Sequence, residues 1–308
     1  LSKKKTSIGG QALIEGIMMR GPYTSAMSVR LSDGTIDTET WPTHKSAILP
    51  WYKKTPFLRG IFNMVDSMGT GFSCLMKSAE KAGMEDEEPT KLEIWLADRL
   101  GATATGVMNT IAVILGVGLA LLLFIVIPTG VTSLLRPVVP GGQLLALIEG
   151  VIKAVIFVCY LALSSRLEEM RRLFSYHGGE HKTIACYEAG EELTVENVRK
   201  FPRFHPRCGT SFIVLVLLIS ILVSSFISWS SPLMRMALKL LTLPVVIGVA
   251  YELIKLAGRH NNVLTRIISA PGLWLQRITT NEPDDAMIQV AIAAMTPVIP
   301  DDANADNW

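Results

Sequence analysis

The sequence predicts an α-helical membrane protein with about four transmembrane helices, a small cytoplasmic α+β region at its N-terminus and a cytoplasmic histidine-rich loop. Three observations lead there. Of 308 residues, 49% are hydrophobic and 18% charged, against roughly 25% charged in soluble domains, and the mean hydropathy is +0.37. Uncharged stretches of spanning length occur only beyond residue 100. Lys and Arg are divided unevenly among the segments between those stretches. This composition excludes a disordered, collagen-like or disulfide-framework chain. Four cysteines suit a reduced cytosolic compartment, and a net charge of +2 gives no reason to expect direct DNA binding.

The chain opens on Leu-Ser-Lys-Lys-Lys, which imitates the start of a secretory signal. No apolar run succeeds it, because Gln11, Glu15 and Arg20 intervene, so a cleaved signal is not expected. Residues 1–90 form the α+β region. Gly9-Gly10 and Gly21-Pro22 bracket a strand pair or a strand and turn, and Asp33-Gly34 between Met27–Leu31 and Thr35–Trp41 marks a hairpin. Beyond Pro56, Phe57, Ile61, Phe62, Val65, Met68, Phe72, Leu75 and Met76 recur at helical spacing. That amphipathic helix is expected to pack on the protein's own core rather than on the membrane surface. Glu85–Glu88 before Pro89 reads as a solvated linker.

Residues 91–165 make a first transmembrane hairpin, with spans Val107–Ile127 and Leu144–Leu163. Residues 211–258 make a second, with spans Phe212–Trp229 and Leu240–Leu256. Glu149 and Lys153 lie four apart within the second span and should pair, since a lone charge at that depth costs roughly 2.5–3.5 kcal/mol. Such a pair suits structural locking better than an ion path. Glu252, in the fourth span, also needs a partner. The loops that join the two spans of each hairpin are poor in Lys and Arg, whereas residues 1–100 and 166–210 are rich in them. Both termini and the middle loop are therefore expected in the cytoplasm of a multi-pass cell-membrane protein. Residues 259–308 form a cytoplasmic segment, and the Pro- and Asp-rich tail after Met295 is expected to fray.

Chemistry concentrates in the loop 166–210. His177-Gly178-Gly179-Glu180-His181 matches the inverted zinc-protease pattern H-x-x-E-H. On a helix, positions four apart share a face, so both imidazoles can meet one ion. Glu180 is then placed to take a proton from water activated by that ion. His205-Pro206-Arg207-Cys208 adds an imidazole and a thiolate three residues apart. The adjacent glycines each cost a helix about 1 kcal/mol relative to alanine. An irregular turn that admits a ligand close to the backbone is therefore the other local reading. Surface histidines, a structural metal clip and a catalytic site all remain open, with metal favoured.

Four runs carry a resemblance: Ile8–Arg20, Tyr176–Thr183, His205–Phe212, and Pro271–Gln276 with Thr279–Pro283. In order, over almost the whole chain, they resemble the YqhQ-like family. This group of bacterial membrane proteins of unknown function is commonly labelled predicted metal-dependent enzymes. Gly179 stands where the family motif leads one to expect Ala. The resemblance implies a membrane protein and strengthens the family assignment more than any activity. Glu15, Arg20 and Glu282 fall in these runs and are candidates for an additional shell around the metal. Their plainer roles are a Glu15–Arg20 salt bridge and, for Glu282, a helix end.

The preferred expectation is a membrane hydrolase with a cytoplasmic site. His177, His181, His205 and Cys208 bind a divalent ion, zinc, and Glu180 acts as base. The rival is a non-enzymatic accessory protein whose metal-clipped platform binds the membrane-insertion machinery or the ribosome. A small transporter using Glu149 is a third possibility. The lipid bilayer is a partner in every case.

Overall fold

A computed structural model describes residues 4–43, 51–83, 104–139, 142–226, 232–260, 262–302 and 304–307. The acidic run 85–88 and the end of the third expected span lie outside them. The chain divides into two units, one of residues 1–84, 161–220 and 239–308, the other of 85–160 and 221–238.

The first unit begins with a four-stranded antiparallel sheet in the order β1 (Gly9–Leu13), β2 (Gly16–Arg20), β3 (Thr24–Arg30) and β4 (Ile36–Pro42). The hairpin expected at Asp33-Gly34 is present, and the glycine-bracketed stretch before it forms the strand pair rather than a strand and turn. Gly34 supplies a φ of +84° between β3 and β4, and Glu15 takes φ +49° in the tight β1–β2 turn. Residues alternate between two cores, as the strand period of two requires. Ile17, Met19 and Ala26 join one cluster, and Leu13, Met18, Met27 and Val29 the other.

Helices cover both faces of the sheet. Following a single turn, α1 (Trp51–Lys54), comes α2 (Leu58–Lys81), whose Cys74 and Leu75 pack on the second cluster. The first cluster is closed by α6 (Glu168–Ala189) and α11 (Asp285–Met295), through Tyr176, Ile184, Met287, Val290, Ala291 and Ala294. Between these two helices in the chain come α7 (Val195–Arg199), α8 (Gly209–Ser225), α9 (Pro232–Arg259) and α10 (Val263–Thr279).

One sequence expectation holds in part and another is corrected here. α2 packs on the core through Cys74 and Leu75, but Phe62, Val65, Met68, Phe72 and Met76 of its apolar stripe are exposed, and Gly60, Gly71, Cys74 and Ser78 are its buried residues. The tail does not fray: Asp306 is buried, accepts from Thr6 Oγ1 at 2.5 Å and pairs with Lys4 at 2.9 Å, while Asn307 bridges Thr6.

The second unit holds α3 (Ala104–Leu121), a π-helical turn Leu122–Val126, α4 (Ile127–Leu135) and α5 (Gly142–Ser164). Glu149 and Lys153 pair within α5 at 2.8 Å, as their spacing expects. Among the described residues, three helices are long and apolar enough to cross a membrane: Val113–Leu135, Gly142–Ser164 and Leu240–Arg259. They are candidate spans and fit a membrane protein. The third of the four expected spans falls on α8, which has 17 described residues and is shorter than the other three. Glu252, in the last span, receives both Nε and Nη2 of Arg59 from α2.

Candidate metal centre

The expected histidine-rich loop is largely helix. α6 runs unbroken through His177-Gly178-Gly179-Glu180-His181, so the irregular-turn reading falls. The reason lies in packing. A Cβ on Gly178 would run into the backbone carbonyl of Asn281, so the glycine admits a neighbouring strand of backbone rather than a ligand. That approach is fixed by the Asn281 amide, which donates to the Phe174 carbonyl at 2.8 Å. Gly179 has room: an added Cβ would meet Pro283, Met287 and Ala291 at 3.6–3.8 Å, which suits the alanine expected there.

The close approach brings the end of α10 onto His177. The Thr279 carbonyl, left without an intrahelical partner at a helix C-terminus, accepts from His177 Nδ1 at 2.8 Å. His177 Nε2 then lies 3.2 Å from Cys208 Sγ. One turn along, His181 Nδ1 donates to the Arg203 carbonyl at 2.6 Å, and its ring stands 4.4 Å from that of His177. Ligand atoms of His177, His181 and Cys208 all fall within 4.8 Å of one another.

Cys208 immediately precedes α8. Its sulfur accepts from the Thr210 amide at 3.4 Å, the position of an N-cap acceptor, where the helix dipole favours a negative group. Burial opposes ionisation of the thiol, yet the His181 and His177 imidazoles bring its pKa well below the ordinary value. His177 answers in the opposite direction. Burial disfavours its charge, but Cys208 lifts it to about 9. The Cys208 thiol and the His177 imidazole thus shift in opposite directions, each favouring the charged form of the other.

His205 is not brought into this group. Its Nε2 lies 3.6 Å from Glu188 and 3.4 Å from Arg207, and its ring is 5.7 Å from His181. Glu188, buried, also pairs with Arg207 and accepts from the Thr6 amide at 2.8 Å. The His205 backbone is clamped in both directions by Gln276, whose Oε1 accepts from its amide and whose Nε2 donates to its carbonyl, each at 2.8 Å.

Glu180 lies on the same helix face as the two histidines and is buried. Its burial raises its pKa, with the imidazoles pulling the other way. A Cβ on Gly10 of β1 would stand 3.0 Å from its carboxyl carbon, so the first glycine-rich run packs directly on this residue.

The remaining candidates serve the frame. Glu15 does not pair with Arg20. It receives Arg172 through Nε at 2.6 Å and Nη2 at 2.7 Å, Arg30 at 2.9 Å and Tyr176 Oη at 3.0 Å. This network joins the β1–β2 turn to α6. Glu282 bridges Lys182 at 2.8 Å and Arg203 at 3.6 Å, steadying the residue whose carbonyl holds His181. Arg20 lines a separate cavity.

The model of the family described as "Protein of unknown function (DUF1385)" matches residues 55–301. "Uncharacterized protein YqhQ" of Bacillus subtilis (strain 168) is 31% identical over 304 residues, spanning 97% of this chain and 95% of its own. The chain belongs to the YqhQ-like DUF1385 family. No solved structure matches it. In this DUF1385 protein, sequence reasoning missed Glu188, Gln276, Thr279 and the carbonyl of Arg203. Glu188 could have been found, because 177, 181, 184 and 188 follow one face of α6. The carbonyls carry no side-chain signal.

Proposed function

We propose that the chain is a metal-dependent membrane enzyme, a hydrolase working at the cytoplasmic face of the cell membrane. His177, His181 and Cys208 hold one divalent ion, zinc. The observation that carries this reading is the way the donors are aimed. Both Nδ1 atoms are spent on backbone carbonyls, which leaves both Nε2 atoms on the side of one sulfur. Metal-bound histidines commonly donate their other ring N–H in this manner. Two imidazoles and a thiolate suit zinc. With His205 turned to Glu188, three protein ligands leave a fourth position open, the pattern of catalytic zinc.

Zinc in such a site supplies Lewis acidity and makes water nucleophilic near neutral pH. The chain's own contribution is orientation and proton movement. The Thr279 and Arg203 carbonyls fix the tautomer and ring plane of each histidine. Glu180 accepts and returns a proton, a role its burial favours by raising its proton affinity. A peptide or a lipid-linked molecule at the membrane face is the substrate class.

Burial favours a second reading. His181 is 2% exposed and Cys208 7%, which suits a closed structural clip in an accessory protein whose basic surface docks the insertion machinery or the ribosome. Cobalt(II) substitution separates the two. In the enzyme, acetohydroxamate enters the open position and shifts the visible spectrum of the cobalt protein. A spectrum indifferent to saturating acetohydroxamate contradicts the open site and supports the clip.

A further inference from the structure

A cavity of about 660 Å3 lies in the first unit, between the sheet, α2 and the end of α9. Three of its lining side chains are cationic: Arg20 from β2, and Lys255 and Arg259 from α9. Its described lining contains no Asp or Glu, and no salt bridge to these three occurs among the described residues. The nearby Glu252 attracts Lys255 but is paired with Arg59. Lys255 and Arg259 stand four apart on one helix, a like-charge spacing that costs stability unless an anion sits beside it. The negative end of α9, which would repel an anion, is already met by Lys5, whose Nζ donates to the carbonyls of Gly258 at 2.9 Å and Arg259 at 3.3 Å.

Neutral donors complete the lining. Ser67 and Thr70 come from the inner face of α2, with Asn63, whose Nδ2 donates to Tyr251 Oη of α9 at 2.9 Å and leaves the tyrosine hydroxyl proton for another acceptor. The opposite face of α2 is the exposed stripe Phe62, Val65, Met68, Phe72 and Met76. An apolar outer stripe opposite a polar inner face is the pattern of a helix that can lie in a membrane interface. The cationic end of a candidate span, Leu240–Arg259, lines the same cavity as α2. In a membrane, both elements would set the cavity near the depth of lipid headgroups.

We propose that this cavity binds a headgroup of net negative charge that ends in phosphate, neutralised by Arg20, Lys255 and Arg259 and hydrogen-bonded by the α2 donors. The site is separate from the metal ligands and does not rest on their reading. Gly10 belongs to both its lining and the packing against Glu180, so a bound headgroup would stand on the far side of one strand from that carboxyl.

The test is calorimetric titration of the full chain in detergent with dihexanoyl phosphatidic acid, dihexanoyl phosphatidylcholine and inorganic phosphate. Phosphatidic acid is expected to bind saturably and at least tenfold tighter than phosphatidylcholine. The double variant Arg20→Gln/Lys255→Gln should lose at least tenfold and melt no lower than wild type without ligand. Should that variant not fold, Arg259→Gln reads the same attraction at an exposed position and should lose at least threefold. Inorganic phosphate that competes with the lipid at equal concentration assigns a soluble phosphate compound; failure to compete assigns the lipid. Equal affinity for the two lipids, or wild-type affinity in the folded variants, overturns the proposal.

Discussion

A thiol as buried as Cys208 ionises only beside positive charge, and its neighbours His177 and His181 lie on consecutive turns of one helix. The spacing of those histidines was legible because helical periodicity needs no tertiary knowledge. The exclusion of His205 was not. It depends on the path of the loop 200–208, which Gln276 and Glu188 determine from distant parts of the chain. Glu15 shows the same limit: its sequence neighbour Arg20 suggested the partner, but the turn directs the carboxylate to Arg172, Arg30 and Tyr176. Burial opposes ionisation of Glu15, but these donors hold its pKa below the usual glutamate value. The stability it adds is therefore complete above the unfolded value of about 4.3 and lost as pH falls through the lower folded value. Glu15→Gln should cost about 2 kcal/mol at neutral pH and flatten the melting temperature against pH below that value. An unchanged acid limb would assign the acid sensitivity elsewhere.

At the scale of elements, the adjacent glycines of α6 pulled the sequence reading toward a broken helix. Propensity counts both alike, whereas packing does not. Gly178 faces the Asn281 carbonyl, whereas a Cβ on Gly179 would make ordinary van der Waals contacts at 3.6–3.8 Å. Gly179→Ala should therefore be neutral or stabilise the chain by up to about 1 kcal/mol. Gly178→Ala should cost about 1–3 kcal/mol by overpacking and weaken metal retention, since it displaces the segment that orients His177. Thermal melts with metal analysis on the two variants check this contrast, and equal effects would contradict it. The strand pairs were readable from turn chemistry, through Asp33-Gly34 and the glycines that bracket β1 and β2. The outward face of α2 was not, because an apolar stripe does not say whether protein or lipid covers it.

For the whole molecule, composition already carried the membrane character, since low charge and long apolar runs suffice for it. What joins the sheet, α6 and α11 into one body is not local. Residues at opposite ends of the chain meet where Thr6 and Lys4 hold Asp306, a contact of sequence separation 300 and 302 that no pattern encodes. Asp306→Ala should lower stability by about 1.5–3 kcal/mol, read as a fall in melting temperature of the detergent-purified protein; an unchanged melt would mean the tail is not part of that body. The Thr6 amide also donates to Glu188, so this closure adjoins the layer beneath His205.

The most direct measurement of the metal reading is elemental mass spectrometry on chain purified in detergent without chelator, for wild type and His181→Ala. One zinc per chain in wild type, lost in the variant, is the expected result. Wild-type protein without stoichiometric metal, or metal retained equally after His181→Ala, would contradict the site.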